Sequence, residues 1–234
     1  MKMKRLFAAL AACALTLPVA AFAACGDGNP QGDVGGDGVY VFEAEGVDLS
    51  EQSGRGWSNE ETGCGMIQGE NKAVIRGNKT VLNSISNKYF VGFFSTAGTT
   101  LEFNINAESA VTGATLVLRL ASEWGTLTMD DSVMTIEVNG TTISYDAFTI
   151  TGKKIDGATQ IEYGVPFKDF EVSSKIDLNQ GENTIKLIAS GKPYPQTPSL
   201  CMGHGVDCIK IKSDAKLTWD SLWEDNKLNL KVDK

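Results

Sequence analysis

Met134-Thr135-Ile136-Glu137-Val138-Asn139-Gly140-Thr141-Thr142-Ile143-Ser144-Tyr145 decides the fold class of this chain. Met134, Ile136 and Val138 alternate with Thr135 and Glu137, and period two is the signature of a strand with one buried face. Asn139-Gly140 follows at once. A type I′ turn needs positive φ at both central residues, which asparagine and glycine accept, so the pair predicts a tight hairpin. Thr142 to Tyr145 then alternates again as the returning strand. Outward from this hairpin the same period recurs at Tyr40 to Glu45, Lys88 to Thr96, Thr100 to Ile105 and Ala114 to Leu120. It recurs again at Phe170 to Leu178, Thr184 to Ala189 and Val206 to Ile211. Leu178-Asn179-Gln180-Gly181-Glu182-Asn183 reads as a second turn between strands. No stretch before residue 214 carries a helical stripe of useful length. About nine short strands separated by turns make an all-β chain, a jelly-roll β-sandwich over residues 39–213.

The pattern changes after Ser213. Trp219, Leu222 and Trp223 fall at i, i+3 and i+4, so a turn of helix would place all three on one face. Leu228 and Leu230 then alternate as a possible extra strand. Residues 214–234 are expected to be a C-terminal extension that docks on the sandwich and covers a sheet edge. At the other end, Lys2, Lys4 and Arg5 precede an alanine-rich apolar run from Leu6 to Ala24, the layout of a cleaved signal peptide over residues 1–24. Phe22-Ala23-Ala24-Cys25 resembles a bacterial lipobox, which implies lipid on Cys25 and a place on the bacterial cell surface, anchored to the membrane. Phenylalanine replaces the usual leucine of that motif, so plain cleavage and secretion is the alternative. Residues 25–38, rich in glycine and aspartate, suit a flexible tether.

The chain has 21 Lys and Arg against 29 Asp and Glu. With Lys2, Lys4 and Arg5 set aside, 18 basic residues face 29 acids, a charge of −11. Such a balance argues against nucleic acid and against electrostatic binding to anionic membranes. Of the five cysteines, Cys13 and Cys25 fall in the export segment. Cys64 and Cys201 sit in glycine- or proline-rich loops and are paired as a disulfide suited to an oxidising compartment. Cys208 lies in an apolar strand and reads as a small core residue.

Two segments carry the chemistry. In Phe42-Glu43-Ala44-Glu45, an extended strand would project Glu43 and Glu45 to the same side. Asp207, in Val206-Asp207-Cys208-Ile209, could join them from the last strand. Either the two glutamates lie on a solvated face, or the acids hold a hard cation such as Ca²⁺, which takes about 6–8 oxygen ligands. The Cys64, Cys201, Cys208 and His204 set lacks the close paired spacing of a zinc site. His204 is the only histidine, no Gly-x-Ser-x-Gly elbow accompanies it, and it reads as a solvent-facing loop residue. Nothing points to the paired carboxylates of a glycosidase. The expectation is therefore no enzyme.

The order of these pieces resembles the carbohydrate-binding modules of families 6 and 35, β-sandwiches with calcium. An opening Glu-Ala-Glu strand is followed by a glycine-containing loop, Val91-Gly92-Phe93, a long apolar strand and Glu137-Val138-Asn139-Gly140. Then come Ile176-Asp177-Leu178, Gly181-Glu182-Asn183-Thr184-Ile185-Lys186-Leu187 and finally Val206-Asp207-Cys208-Ile209. The resemblance spans residues 39–212. It implies that Glu43, Glu45 and Asp207 hold a structural Ca²⁺, and that loop aromatics bind a polysaccharide or oligosaccharide. Candidate platforms are Trp57 in its glycine-rich loop, Phe93 after the Val-Gly pair, Trp124 at a strand end, and Phe167 and Phe170 before the Asp-Leu strand.

One departure stands out: the family often has an asparagine two residues before the final aspartate, and here that position is Gly205. The reading is a non-catalytic, surface-anchored carbohydrate-binding protein, with glycoside hydrolases as possible partners. The alternative is an adhesion or scaffold sandwich that has lost the sugar cleft and presents an apolar patch around Trp219 and Trp223.

Overall fold

A computed structural model of the chain describes residues 34–35, 38–49, 65–68, 79–87, 89–123, 125–153, 165–194 and 197–228. In chain order the strands are β1 (Val34–Gly35), β2 (Val39–Glu43), β3 (Gly65–Gln68), β4 (Tyr89–Phe94), β5 (Thr100–Ala107), β6 (Val111–Ser122), β7 (Leu127–Met129) and β8 (Met134–Val138). They continue as β9 (Thr141–Ile143), β10 (Phe148–Ile150), β11 (Lys168–Leu178), β12 (Gly181–Ala189), β13 (Pro193–Tyr194), β14 (Thr197–Cys201), β15 (His204–Lys212) and β16 (Leu217–Trp219). A 3-10 turn at Ala44–Gly46 and two short helices, α1 (Lys79–Leu82) and α2 (Trp223–Leu228), complete the described elements.

Two antiparallel sheets form the sandwich. In the first, β15 is central: β6 runs along one side of it and carries β11 on its far edge. On its other side, β2 pairs with residues Cys208 to Lys212, and β4 pairs with His204 and Val206. The second sheet has the order β16-β5-β12-β8-β9. Inward residues of the first sheet (Phe42, Leu116, Leu118, Leu120, Ile209, Ile211) and of the second (Leu101, Phe103, Ile105, Ile136, Ile185, Leu187) join one buried core. Burying a side chain of this size contributes roughly 1.5–3 kcal/mol, so alternation sets which face of each strand turns in.

The hairpin at Asn139-Gly140 forms as its residues demand, with φ of 51° and 75°. Its asparagine also ties the two turns together: Asn139 Nδ2 donates to Asn183 Oδ1 at 2.9 Å, and Thr184 N donates to Asn139 Oδ1 at 2.9 Å.

Several expectations need correction. The first strand stops at Glu43, and Ala44–Gly46 turns in a 3-10 helix, so Glu45 does not continue the strand face. Trp219 lies in a strand: β16 pairs with β5 at the edge of the second sheet, and the indole fills the core edge-on to Phe42, with ring centroids 5.5 Å apart. An open sheet edge thus outcompetes one turn of helix, and α2 starts only at Trp223. Leu228 ends that helix and is not part of a strand. Trp219 and Trp223 are 6% and 4% exposed, so they form no surface patch. Within the expected tether, Val34 and Gly35 pair with Tyr40 and Val39. The signal segment and Cys25 lie outside the described residues.

Candidate functional site

The candidate site sits on the outer face of the first sheet, where β15 passes from pairing with β4 to pairing with β2. Its construction begins with a β-bulge. Val206 pairs with Leu120 and Cys208 with Arg119, leaving Asp207 as an extra residue on β15. Val206, Ile209 and Ile211 can all turn into the core only because of that extra residue. Asp207 and Cys208 are thereby both displaced from the core face, and Glu43 lies directly across from Cys208 in register.

A loop closes over them. Ser86 N donates to both Asp207 carboxylate oxygens at 3.1 Å, and Asn87 Nδ2 donates to Glu45 Oε1 at 3.2 Å. Asn87 has φ of 28°, a conformation asparagine tolerates better than most residues. Arg119 anchors the loop from the sheet: its Nε and Nη2 donate to Ser84 O at 3.0 and 2.7 Å. The same Nε lies 3.1 Å from Asp207 Oδ2, and Nη1 lies 2.9 Å from Asp169 Oδ1. Beside this cluster Val81, Ile85, Phe90, Ala121 and Phe167 make a second small core, which seats α1 on the outer face.

Glu45 and Asp207 are fully buried, and Glu43 is partly exposed. Burial, reinforced by the Asp207 charge, pushes the Glu43 carboxyl from its ordinary 4.5 up to about 8. Burial and the Glu43 charge push Glu45 well up. Burial raises Asp207 to about 6 against the pull of Ser86 and Arg119.

Three observations fit a divalent cation to these residues. Glu45 Oε2 is buried and has no hydrogen-bond partner. Ser86 Oγ lies 2.6 Å from Glu43 Oε2 and 2.8 Å from Asp207 Oδ2, yet a hydroxyl has one hydrogen. In the ion-free protein the proton held on Glu43 fills the second contact, and a cation would take that proton's place. Finally, three carboxylates face Arg119 and Lys210, both of them shared with Asp169, which leaves the negative charge that a divalent ion would balance. Ser86, Asn87 and Arg119 were not legible as site residues; their partners are remote in sequence.

The aromatic candidates fare differently. Trp57 and Trp124 lie outside the described residues. Phe93 is on β4, with its side chain outside them. Phe167 is 3% exposed, 4.9 Å from the Phe90 ring centroid, and is a core residue. Burial removes the face a sugar would need. Phe170 is partly buried and stacks on Phe148 at 4.9 Å. Cys64 and the side chain of Cys201 also lie outside the described residues, and so does their expected disulfide. His204 is not in a solvent-facing loop: it is fully buried on β15, edge-on to Phe94, and burial lowers its pKa to about 3.

A separate groove of about 400 Å³ lies over the second sheet, lined by Asn104, Asn106, Glu182, Thr184, Thr218 and Asp220 among others. Its exposed lining offers hydrogen bonds without an aromatic platform, since the Trp219 that borders it is buried.

No family model and no curated protein matches the chain. Among solved structures, it is similar to the family 35 carbohydrate binding module from Clostridium thermocellum, at 17% identity over 74% of this chain and 96% of that one, with a TM-score of 0.44. The CBM35 from Paenibacillus barcinonensis gives 21% identity over 73% of this chain and 96% of that one, with a TM-score of 0.44. The Podospora anserina GH26-CBM35 β-(1,4)-mannanase gives 15% identity over 77% of this chain, with a TM-score of 0.45, and the chain spans 28% of that enzyme. By its own strands the chain is an all-β sandwich, and the solved structures it is similar to include carbohydrate-binding modules of family 35.

Proposed function

We propose that this chain is a non-catalytic carbohydrate-binding protein, tethered to the bacterial cell surface by lipid on Cys25. It recognises a polysaccharide or oligosaccharide through loop aromatics, with Trp57 as the leading platform and Phe93, Trp124 and Phe170 as further candidates. Flat apolar rings match the C–H face of a pyranose, and polar groups around them match its hydroxyls. The same module would deliver glycan to partner glycoside hydrolases.

The observation that carries this reading is the convergence of Glu43, Glu45 and Asp207 beneath the Ser86–Asn87 turn. That is where the resemblance in motif order implies a structural Ca²⁺. The three carboxylates would hold the ion, and its charge would relieve their mutual repulsion and pin the first strand to the last. Arg119 and Ser86 orient Asp207.

The test is binding of the whole chain to a glycan panel with and without a chelator. Saturable binding lost in Trp57→Ala supports the sugar reading. A chelator that lowers the melting temperature but spares binding by the folded protein makes the ion structural. Absence of binding to every glycan, with cation-dependent stability kept, overturns the sugar reading in favour of an adhesion or scaffold protein.

A further inference from the structure

The donor set of the candidate cation site includes a sulfur. Cys208 is a free, fully buried thiol that belongs to neither apolar cluster. It lies opposite Glu43 on one side and Arg119 on the other. One ligand atom each from Glu43, Asp207 and Cys208 lies within 4.8 Å of the others. A tetrahedral metal bonded to sulfur at about 2.3 Å and to carboxylate oxygen at about 2.0–2.2 Å sets its donors about 3.5 Å apart. Closure around one ion therefore draws these side chains together by up to about 1 Å, within reach of small side-chain rotations. The orphaned Glu45 Oε2, in the adjoining turn, is available as a fourth donor, and the Glu43 and Asp207 charges both act on its carboxyl. Glu43 is the partly exposed member and marks the way in.

We propose that Glu43, Glu45, Asp207 and the Cys208 sulfur form a site for a thiophilic divalent cation of the zinc or cadmium kind, bound in preference to calcium. This rests on the reading above that the acids hold a cation. Hard ions gain little from a thiol, whereas thiolate sulfur selects softer ones. On binding, a metal–sulfur bond replaces the S–H bond and the thiol proton leaves to solvent, with no change of oxidation state.

The test uses the whole chain, reduced and freed of metal, titrated with Cd²⁺ alone and with Ca²⁺ alone. Wild type should bind Cd²⁺ at least tenfold more tightly than Ca²⁺, with a rise in melting temperature and a thiolate-to-cadmium charge-transfer band. Cys208→Ser should lose that band's contribution and at least tenfold in Cd²⁺ affinity while its Ca²⁺ response is kept. Cys208→Ala serves if the serine variant misfolds, and cadmium NMR of wild type compared with either variant assigns sulfur ligation to Cys208 among the five cysteines. An unchanged Cd²⁺ affinity and band in Cys208→Ser overturns the thiol assignment. Stabilisation by Ca²⁺ with no preference for Cd²⁺ overturns this inference alone. Failure of both ions to bind overturns the cation reading beneath it as well.

Discussion

Raising the pH of the ion-free protein should weaken it, the reverse of ordinary acid denaturation. Burial holds a proton on Glu43 up to about pH 8, whereas the unfolded chain releases it near 4.5. The folded state binds the extra proton across that interval, so its stabilising contribution is complete below pH 4.5 and is lost as pH rises through about 8. Asp207 has the same sign, but its contribution is gone by about pH 6. His204 has the opposite sign: its pKa falls from 6.5 to about 3, so its contribution grows with pH and is complete above 6.5. Between pH 6.5 and 8 the Glu43 effect therefore stands without that opposition, and Glu45, shifted in the same direction, adds to it. One proton is worth about 1.4 kcal/mol per pH unit, which gives a loss of about 2 kcal/mol over this window. The assay is urea unfolding in chelator at half-unit steps from pH 6.5 to 8, read as midpoints at constant slope. Glu43→Gln should flatten the dependence. Added divalent cation should flatten or invert it, because the ion takes the proton's place. A midpoint of the ion-free wild type that holds steady or rises across the window refutes the reasoning.

Three further outcomes are expected. Gly46→Ala puts a methyl 2.6 and 2.9 Å from the Trp219 indole and against Ser221 Oγ, so a loss of about 1–3 kcal/mol should appear in thermal melts, with altered tryptophan fluorescence. Asn226→Ala removes the Nδ2 bonds to Glu45 O (2.7 Å) and Val47 O (2.8 Å) and strands two carbonyls. It should cost about 1–3 kcal/mol and weaken cation affinity measured by calorimetry. Phe167→Ala should lower stability by about 3–5 kcal/mol in urea unfolding while leaving glycan affinity per folded molecule unchanged, since its ring is core.

Local rules made the sandwich legible. Asn139-Gly140 reads as a type I′ turn from residue type alone, and alternation marks each long strand because one face is buried. One local signal was stronger than its first reading. Val206, Ile209 and Ile211 are spaced by three and then two, and an odd spacing of core residues on one strand requires a bulge. That bulge turns Cys208 from a core residue into a neighbour of two acids. Ser86, Asn87, Arg119 and Asn226 meet the site only through tertiary closure, so no periodicity announces them. Trp219 misled because three apolar residues at helical spacing also suit a strand edge that the rest of the fold leaves open.

The clamp between the C-terminal segment and the opening turn has a consequence for assembly. Leu222 N donates to Gly46 O at 2.8 Å, Asn226 caps the carbonyls of Glu45 and Val47, and β2 finds its partner in β15. The earliest part of the sandwich is thus completed by the last, and the contacts that close it span nearly the whole described chain. Loops of that length must close before their contacts repay the lost entropy, so folding should be slow and should wait until Leu222 and Asn226 have been made. A chain cut short near its C-terminus would carry its damage at the other end, in an opening turn left without its cap.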